Sequence, residues 1–187
     1  MTILKFIEHI LYRQDAIDRM GEKRNEVFDN YDIAHAEILA SVMIGMCDES
    51  DEVRIYSGAL GENCYAEALR KTSAKIIKVL IDLDKDAPAQ ALAWVKETKA
   101  YKDGRLIINR LTQAQIKEHA TAHGLDMPLG HFFCTTAGAY RDEKDHEKAS
   151  ADVNFHDPEK VEKLTALFDV WFPLGEPVFK TNVDSKD

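Results

Sequence analysis

The chain has 187 residues, of which 45% are hydrophobic and 30% are charged. That balance excludes an intrinsically disordered protein and is typical of a folded domain with its own hydrophobic core. Lysine and arginine total 24 against 33 aspartate and glutamate, which gives a net charge of −9. Because affinity for nucleic acid depends on basic groups, this charge argues against duplex DNA as a partner.

Two apolar stripes with helical spacing lie in the first fifty residues and predict two helices. We assign residues 1–50 to an N-terminal helical extension. From residue 52 the pattern changes to short β-branched runs that alternate with helical segments, which predicts right-handed crossovers and a largely parallel sheet. The strands are predicted at 53–58, 75–84 and 105–111, and the helices at 62–73, 88–100 and 112–124.

The last third of the chain departs from this alternation. Residues 131–142 and 150–157 are predicted as two strands that pair antiparallel across a charged connection. A helix follows at 157–172, with Asp157 as its cap. The sequence therefore predicts an α/β protein with a three-layer α/β/α domain and a mixed sheet over residues 51–179. The tail over 180–187 is predicted to be disordered.

Two carboxylates, Asp82 and Asp84, end the second predicted strand in the sequence IDLDKD. Aspartates at a strand end can hold Mg²⁺, but the glycine and threonine that complete such motifs are absent here. We interpret these residues as a solvated strand end. The glycine turn at 56–63 could bind an anion through its backbone amides. A tight turn is the simpler interpretation, because no lysine follows to make a P-loop.

Residue types that bind metals do not form a recognisable site in the sequence. His119 and His123 lie four residues apart on a predicted helix, but no third ligand is apparent. Cys47, Cys64 and Cys134 are odd in number and widely spaced, which is typical of free thiols in the cytoplasm. We therefore predict no metal, no cofactor and a cytoplasmic protein.

The longest apolar run in the sequence is the segment 38–47. It is shorter than the ~20 residues that a helix needs to span a membrane. No membrane partner is expected from the sequence.

The block from His131 to Trp171 begins with a histidine at a strand start and ends with Phe168 and Trp171 on a helix. It resembles the C-terminal half of a phospholipase D-like domain, whose signature is HxKxxxxD followed by a glycine-serine-x-asparagine element. Asn154 matches the asparagine, and Phe168 with Trp171 gives a close variant of the family's F-x-x-x-W helix ending. The order of elements over 53–172 also fits that family's α/β/α fold.

The sequence departs from this family at the residues that do the chemistry. Phe133 stands where the family has its lysine, Gly138 falls where its aspartate would be, and 149–151 lacks a glycine-serine pair. Phosphoryl transfer depends on cations that neutralise the equatorial oxygens, and a phenylalanine cannot supply one. The resemblance therefore implies a degenerate phosphodiester site, in which the histidine of the HKD motif lacks the motif's lysine and aspartate.

We expect a non-catalytic binding or regulatory protein with an anion site around His131, formed by Ser57, Tyr140, Arg141 and Asn154. Its ligand would be a protein partner, an anionic small molecule or a nucleotide, and by family analogy the protein would be a homodimer. The alternative is a homodimeric phosphodiesterase or nuclease that uses His131 as nucleophile and Arg141 as the phosphate cation. A nucleotide-binding regulator that uses the glycine turn is a third hypothesis.

Overall fold

The computed structural model describes residues 2–30, 32–58, 60–82, 92–124, 130–145 and 150–179. The helices in these ranges are α1 (Ile3–Glu22), α2 (Ile33–Met43), α3 (Glu62–Lys71), α4 (Lys99–Lys102), α5 (Gln113–His123) and α6 (Pro158–Trp171). The strands are β1 (Phe28–Asn30), β2 (Glu52–Ser57), β3 (Ile76–Ile81), β4 (Leu106–Arg110), β5 (Phe132–Thr135), β6 (Tyr140–Asp145), β7 (Ser150–Asn154) and β8 (Glu176–Pro177).

The strands form one mixed sheet in the order β1-β7-β6-β5-β2-β3-β4-β8. The neighbours β2, β3 and β4 are parallel, as the alternation of strands and helices predicts. The remaining pairs in the described sheet are antiparallel. The prediction of a largely parallel sheet is therefore correct only for these three strands, because the chain forms antiparallel neighbours from β5 onward.

Helices cover both faces of the sheet and give the predicted three-layer α/β arrangement. One face packs against α1, α2 and α3 through a core that includes Ala16, Leu39, Leu69 and Phe133. The other face packs against α5 and α6 through a second cluster that includes Trp171. Burial of these side chains supplies the main driving force for folding, at roughly 25 cal/mol per Å² of apolar surface.

The N-terminal segment joins the sheet as well as the helical layer. Strand β1 pairs antiparallel with β7 at the edge of the sheet, with Phe28 opposite Val153. The sequence analysis did not predict β1. The proposed division of the chain at residue 50 stays a prediction, and the tail at 180–187 lies outside the described residues.

Local capping signals place the ends of α5 and the start of α6 where the sequence predicts them. The side chain of Thr112 accepts a hydrogen bond from the backbone N–H of Gln115, and the Gln115 side chain bonds back to the cap. Gly124 ends this helix in the left-handed conformation at φ 60°. Asp157 caps α6 by accepting from the backbone N–H of Lys160. The single helix predicted over 88–100 is wrong, because the structure has a 3-10 helix at Ala93–Glu97 followed by α4, and residues 88–91 lie outside the described ranges.

The prediction of one strand over 131–142 is wrong, because the structure divides this stretch into β5 and β6. The turn between them places Gly138 at φ 99°, a conformation that favours glycine. A Cβ at Gly138 would also meet Nδ1 of His156 at 2.6 Å. Gly138, which departs from the phospholipase D-like pattern, is thus required by the backbone of a tight hairpin.

The first half of α1 is the most exposed apolar part of the described chain. Within the described residues, no helix is long and apolar enough to cross a membrane. The large apolar side chains in this part of α1 are Ile3, Leu4, Phe6, Ile7, Ile10 and Leu11.

The three cysteines are free thiols in the folded protein. Burial raises the pKa of Cys47 and of Cys64 to about 12, and that of Cys134 to about 11. The free thiols agree with the prediction from their spacing, and each side chain packs as a small hydrophobic group.

Replacing Phe133 by alanine should destabilise the fold by about 3–5 kcal/mol, because the ring is fully buried and the change leaves a cavity. Urea unfolding of the variant would measure this loss. The matched control is Ile107→Ala, since Ile107 is partly exposed on β4. Equal free energies of unfolding for the two variants would contradict the assigned core.

Candidate functional site

Polar side chains collect at one edge of the sheet, which we name the carboxyl edge. Strands β2 and β3 end there at Ser57 and Ile81. Strand β5 begins there, because it runs antiparallel to β2 with Phe132 opposite Tyr56. In open α/β sheets the carboxyl ends of parallel strands are where ligands usually bind. We therefore take this edge as the candidate site.

His131, directly before β5, lies between two carboxylates. Its Nε2 atom is 3.4 Å from Oδ1 of Asp82, and its Nδ1 atom is 3.2 Å from Oε2 of Glu143. The backbone N–H of Glu143 also donates to the carbonyl oxygen of His131 at 2.9 Å. Both ring nitrogens therefore face negatively charged groups.

Asp82 follows β3 and is buried. Its Oδ2 atom accepts a hydrogen bond of 2.6 Å from the hydroxyl of Tyr56 and a second one from the side-chain amide of Gln113. With His131 on Oδ1, Asp82 has donors from three different elements. The interpretation of Asp82 as a solvated strand end is wrong, because these donors replace the water that an exposed carboxylate would bind.

Arg141 extends this network toward the N-terminal strand. Its Nη2 atom is 3.5 Å from Oε1 of Glu143, and its Nε atom donates to Oδ1 of Asn30 at 2.7 Å. Arg141 is buried, so its charge requires these partners. The four ionisable residues Arg141, Glu143, His131 and Asp82 alternate in sign, and we name them the charge chain.

The charge chain changes the protonation of its members. Burial alone would lower the pKa of His131, but the hydrogen bonds with Asp82 and Glu143 outweigh it and raise that pKa to about 9. Burial would raise the pKa of Asp82, but bonds with His131, Tyr56 and Gln113 lower it. Burial together with the bond to Asp82 raises the pKa of the Tyr56 hydroxyl. At neutral pH these shifts favour an imidazolium at His131 and a carboxylate at Asp82.

Gly58 allows the backbone to pass close to the imidazole. A Cβ at this position would lie 2.9 Å from Cε1 of His131 and 3.3 Å from Oδ1 of Asp82. The glycine turn of the sequence analysis thus gives room to the charge chain. Ala59 of that turn lies outside the described residues.

This arrangement limits the chemistry available to His131. An imidazolium has no free lone pair with which to attack phosphorus, and the role of His131 as a nucleophile stays untested. Asp82 and Glu143 are both engaged in ion pairs, and Arg141 is bonded to Glu143 and Asn30. The cluster is internally compensated, which is the pattern of a network that fixes the positions of strands.

The structure does not bring all the predicted anion-binding residues together. Ser57 and Arg141 lie near His131 at the carboxyl edge. Tyr140 and Asn154 pair with each other across β6 and β7, level with Cys134, which lies three residues along the chain from His131. Tyr140 packs in the core against α6, and the Asn154 side chain bonds to Asn25. The role of these residues as an anion site stays untested.

Sequence reasoning missed three partners in the network. Tyr56 and Gln113 both donate to Asp82, and Asn30 accepts from Arg141. The structure also places Glu143 against Nδ1 of His131. Glu143 was identifiable because it lies beyond a turn on the strand next to His131. No sequence pattern around Tyr56, Gln113 or Asn30 indicates that they belong to this network.

No metal centre is present among the groups of histidine, cysteine, aspartate and glutamate in the described ranges. The rings of His119 and His123 stack at 6.1 Å on α5. Asp84, the second carboxylate of the IDLDKD stretch, lies outside the described residues.

No protein-family model matches the chain, and no curated protein matches it in sequence. Among solved structures, the chain is similar to TrmBL2, described as an archaeal chromatin protein whose structure shows a novel mode of DNA binding. The TM-score is 0.55 at 14% identity, and the match covers 93% of this chain and 67% of that one. At this identity the similarity establishes a shared fold.

These comparisons overturn the expectations that came from the phospholipase D-like resemblance. With no matching family model and a chromatin protein as structural neighbour, the assignment to that family is wrong. The degenerate phosphodiester site and the alternative phosphodiesterase or nuclease are withdrawn with it, as is the homodimer inferred by analogy. The exclusion of duplex DNA from the net charge is also contradicted, since this neighbour is a DNA-binding protein.

The free energy of unfolding should fall as the pH rises from about 6.5 to 9, by on the order of 2 kcal/mol. His131 has a folded-state pKa of about 9, above its usual value of 6.5, so its stabilising effect is complete below pH 6.5. That effect is lost as the imidazolium deprotonates. Urea unfolding at several pH values would measure the change.

The His131→Gln variant should lack most of this fall. The control His119→Gln should keep it, because His119 lies on α5 away from the charge chain. Identical pH profiles for the wild type and His131→Gln would contradict an ionised His131.

Proposed function

We propose that this protein binds duplex DNA. The observation that carries the proposal is a concentration of positive charge on one part of a chain that is otherwise acidic. Segments 70–75 and 96–105 together hold seven basic and two acidic residues, whereas the whole chain has a net charge of −9. A local basic surface can bind a polyanion whatever the sign of the net charge.

The fold brings the two segments side by side. The backbone N–H of Ile77 donates to the carbonyl oxygen of Arg105 at 2.8 Å, and Nη1 of Arg105 donates to the carbonyl oxygen of Ala74 at 2.5 Å. These contacts join the beginnings of β3 and β4 at the edge opposite the carboxyl edge. We name this surface the basic edge, and its residues are Arg70, Lys71, Lys75, Lys96, Lys99, Lys102 and Arg105.

The lysines of the basic edge are exposed to solvent. Lys71 pairs with Glu67, and Lys102 pairs with Glu97. Lys75 and Lys99 form no ion pair within the described part of the chain, so their charges face the solvent. Such exposed lysines contact phosphate oxygens at little cost in desolvation.

An acidic loop at 48–52 borders the basic edge. It contains four carboxylates, and the carbonyl oxygen of Asp51 accepts from the backbone N–H of Lys75 at 2.8 Å. Negative charge at this position repels phosphate, so it confines a DNA backbone to the side formed by α3 and α4. The loop therefore defines one border of the proposed contact.

The shared fold with an archaeal chromatin protein supports this proposal. That protein is described as binding DNA, and the basic edge gives this chain a surface with suitable charge. The internally compensated charge chain favours binding over a hydrolytic reaction at the carboxyl edge. A DNA partner and free thiols also fit a location in the cytoplasm or nucleoid.

The double variant Lys75→Glu/Lys99→Glu should weaken binding to a 30-base-pair duplex by roughly 10- to 100-fold at low salt. Each lost phosphate contact should also reduce the slope of log K against log salt by about 0.9. Fluorescence anisotropy between 50 and 200 mM salt would measure both changes.

Two controls make this test specific to the basic edge. Lys163→Glu changes an exposed charge on α6, on the other face of the sheet, and should bind as the wild type does. Glu49→Lys removes a negative charge from the acidic loop and should strengthen binding. Equal losses for Lys163→Glu and the double variant would contradict the basic edge, and no binding by the wild type would refute the function.

A further inference from the structure

We infer that the basic edge binds the sugar-phosphate backbone of double-stranded DNA without reading its bases, so that binding is independent of sequence. This inference rests on the proposed function and adds the mode of recognition to it. Its basis is the chemistry of the cations, the state of the two arginines and the shape of the elements that carry them.

Lysine supplies five of the seven cations at the basic edge. An ammonium group is a compact charge on a flexible stem, and it fits a phosphate oxygen from many directions. The guanidinium fork of arginine, by contrast, has a fixed geometry that matches two acceptors of guanine in the major groove. The composition of the edge thus favours phosphate contacts.

The two arginines of the edge are already engaged within the protein. Arg105 donates from Nη1 to the carbonyl oxygen of Ala74, and its Nε and Nη2 atoms lie 3.4 and 3.3 Å from Oδ2 of Asp103. Arg70 forms a longer ion pair of 3.7 Å with Glu62. Reading a guanine with Arg105 would require the loss of three existing contacts.

The elements of the basic edge are short or held against the sheet. Helix α4 has four residues, and α3 buries Tyr65, Ala68 and Leu69. An α-helix that reads bases must enter the major groove, which is ~12 Å wide. Neither α3 nor α4 projects from this edge in a way that would let it enter a groove. The surface is therefore suited to lie across the backbone.

Tyr101, an aromatic residue among these lysines in the sequence, is not free to stack on bases. Tyr101, in α4, packs its ring against Phe179 with centroids 5.3 Å apart. Lys96 lies over the ring of Phe179 at 5.1 Å. Single-stranded nucleic acid is usually bound by exposed aromatic rings on which bases stack. The edge should therefore favour the duplex, whose two backbones present a higher density of phosphate.

The test compares the affinity of the full chain for three 30-base-pair duplexes of AT-rich, GC-rich and mixed sequence, and for a single strand of the same length. We expect the duplex dissociation constants to agree within about threefold at each salt concentration and the single strand to bind more weakly. Selection from a pool of random duplexes should yield no enriched motif.

The Arg105→Lys variant tests the guanidinium fork directly, because it keeps the charge of this basic-edge residue and removes the fork. Its relative affinities for the three duplexes should equal those of the wild type. A preference of about tenfold or more for one sequence, lost in Arg105→Lys, would overturn backbone-only recognition while leaving DNA binding intact. Failure to bind any duplex would overturn the proposed function and this inference together.

Discussion

The charge chain Arg141–Glu143–His131–Asp82 is the interaction on which the arrangement of the carboxyl edge depends. Each of its groups is largely removed from water and is neutralised by neighbours of opposite sign. Asp82, His131 and Glu143 belong to the ends of β3 and β5 and to β6, so a shift in the register of one of these strands would leave a buried charge unpaired. Through the bond between Arg141 and Asn30, the charge chain also reaches β1 at the edge of the sheet. The polar residues thus specify the strand arrangement that the apolar core stabilises.

The parts of the fold that sequence analysis predicts correctly are those with local causes. Thr112 and Asp157 cap helices through residues three positions away, and β2, β3 and β4 carry the β-branched pattern of buried parallel strands. The missed parts depend on distant residues. Tyr56 and Asp82 are 26 positions apart, and Arg141 and Asn30 are 111 apart. No periodicity or motif within one segment can show such a pair.

The two errors about function have a common physical origin. His131 matches one residue of a catalytic motif, yet a histidine acquires its chemistry from its neighbours, and here they keep it protonated. The net charge of −9 is likewise a property of the whole chain, whereas a polyanion meets only the few cations on one surface. In both cases the spatial grouping of residues carries the functional information.

The raised pKa values of the three thiols have a practical consequence. A thiol with a pKa of 11 or 12 is almost entirely protonated at neutral pH, and the thiolate is the form that reacts with maleimides and iodoacetamide. The three native thiols should therefore react slowly with these reagents. A single cysteine introduced on the surface would take a fluorophore or spin label selectively, without prior removal of Cys47, Cys64 or Cys134.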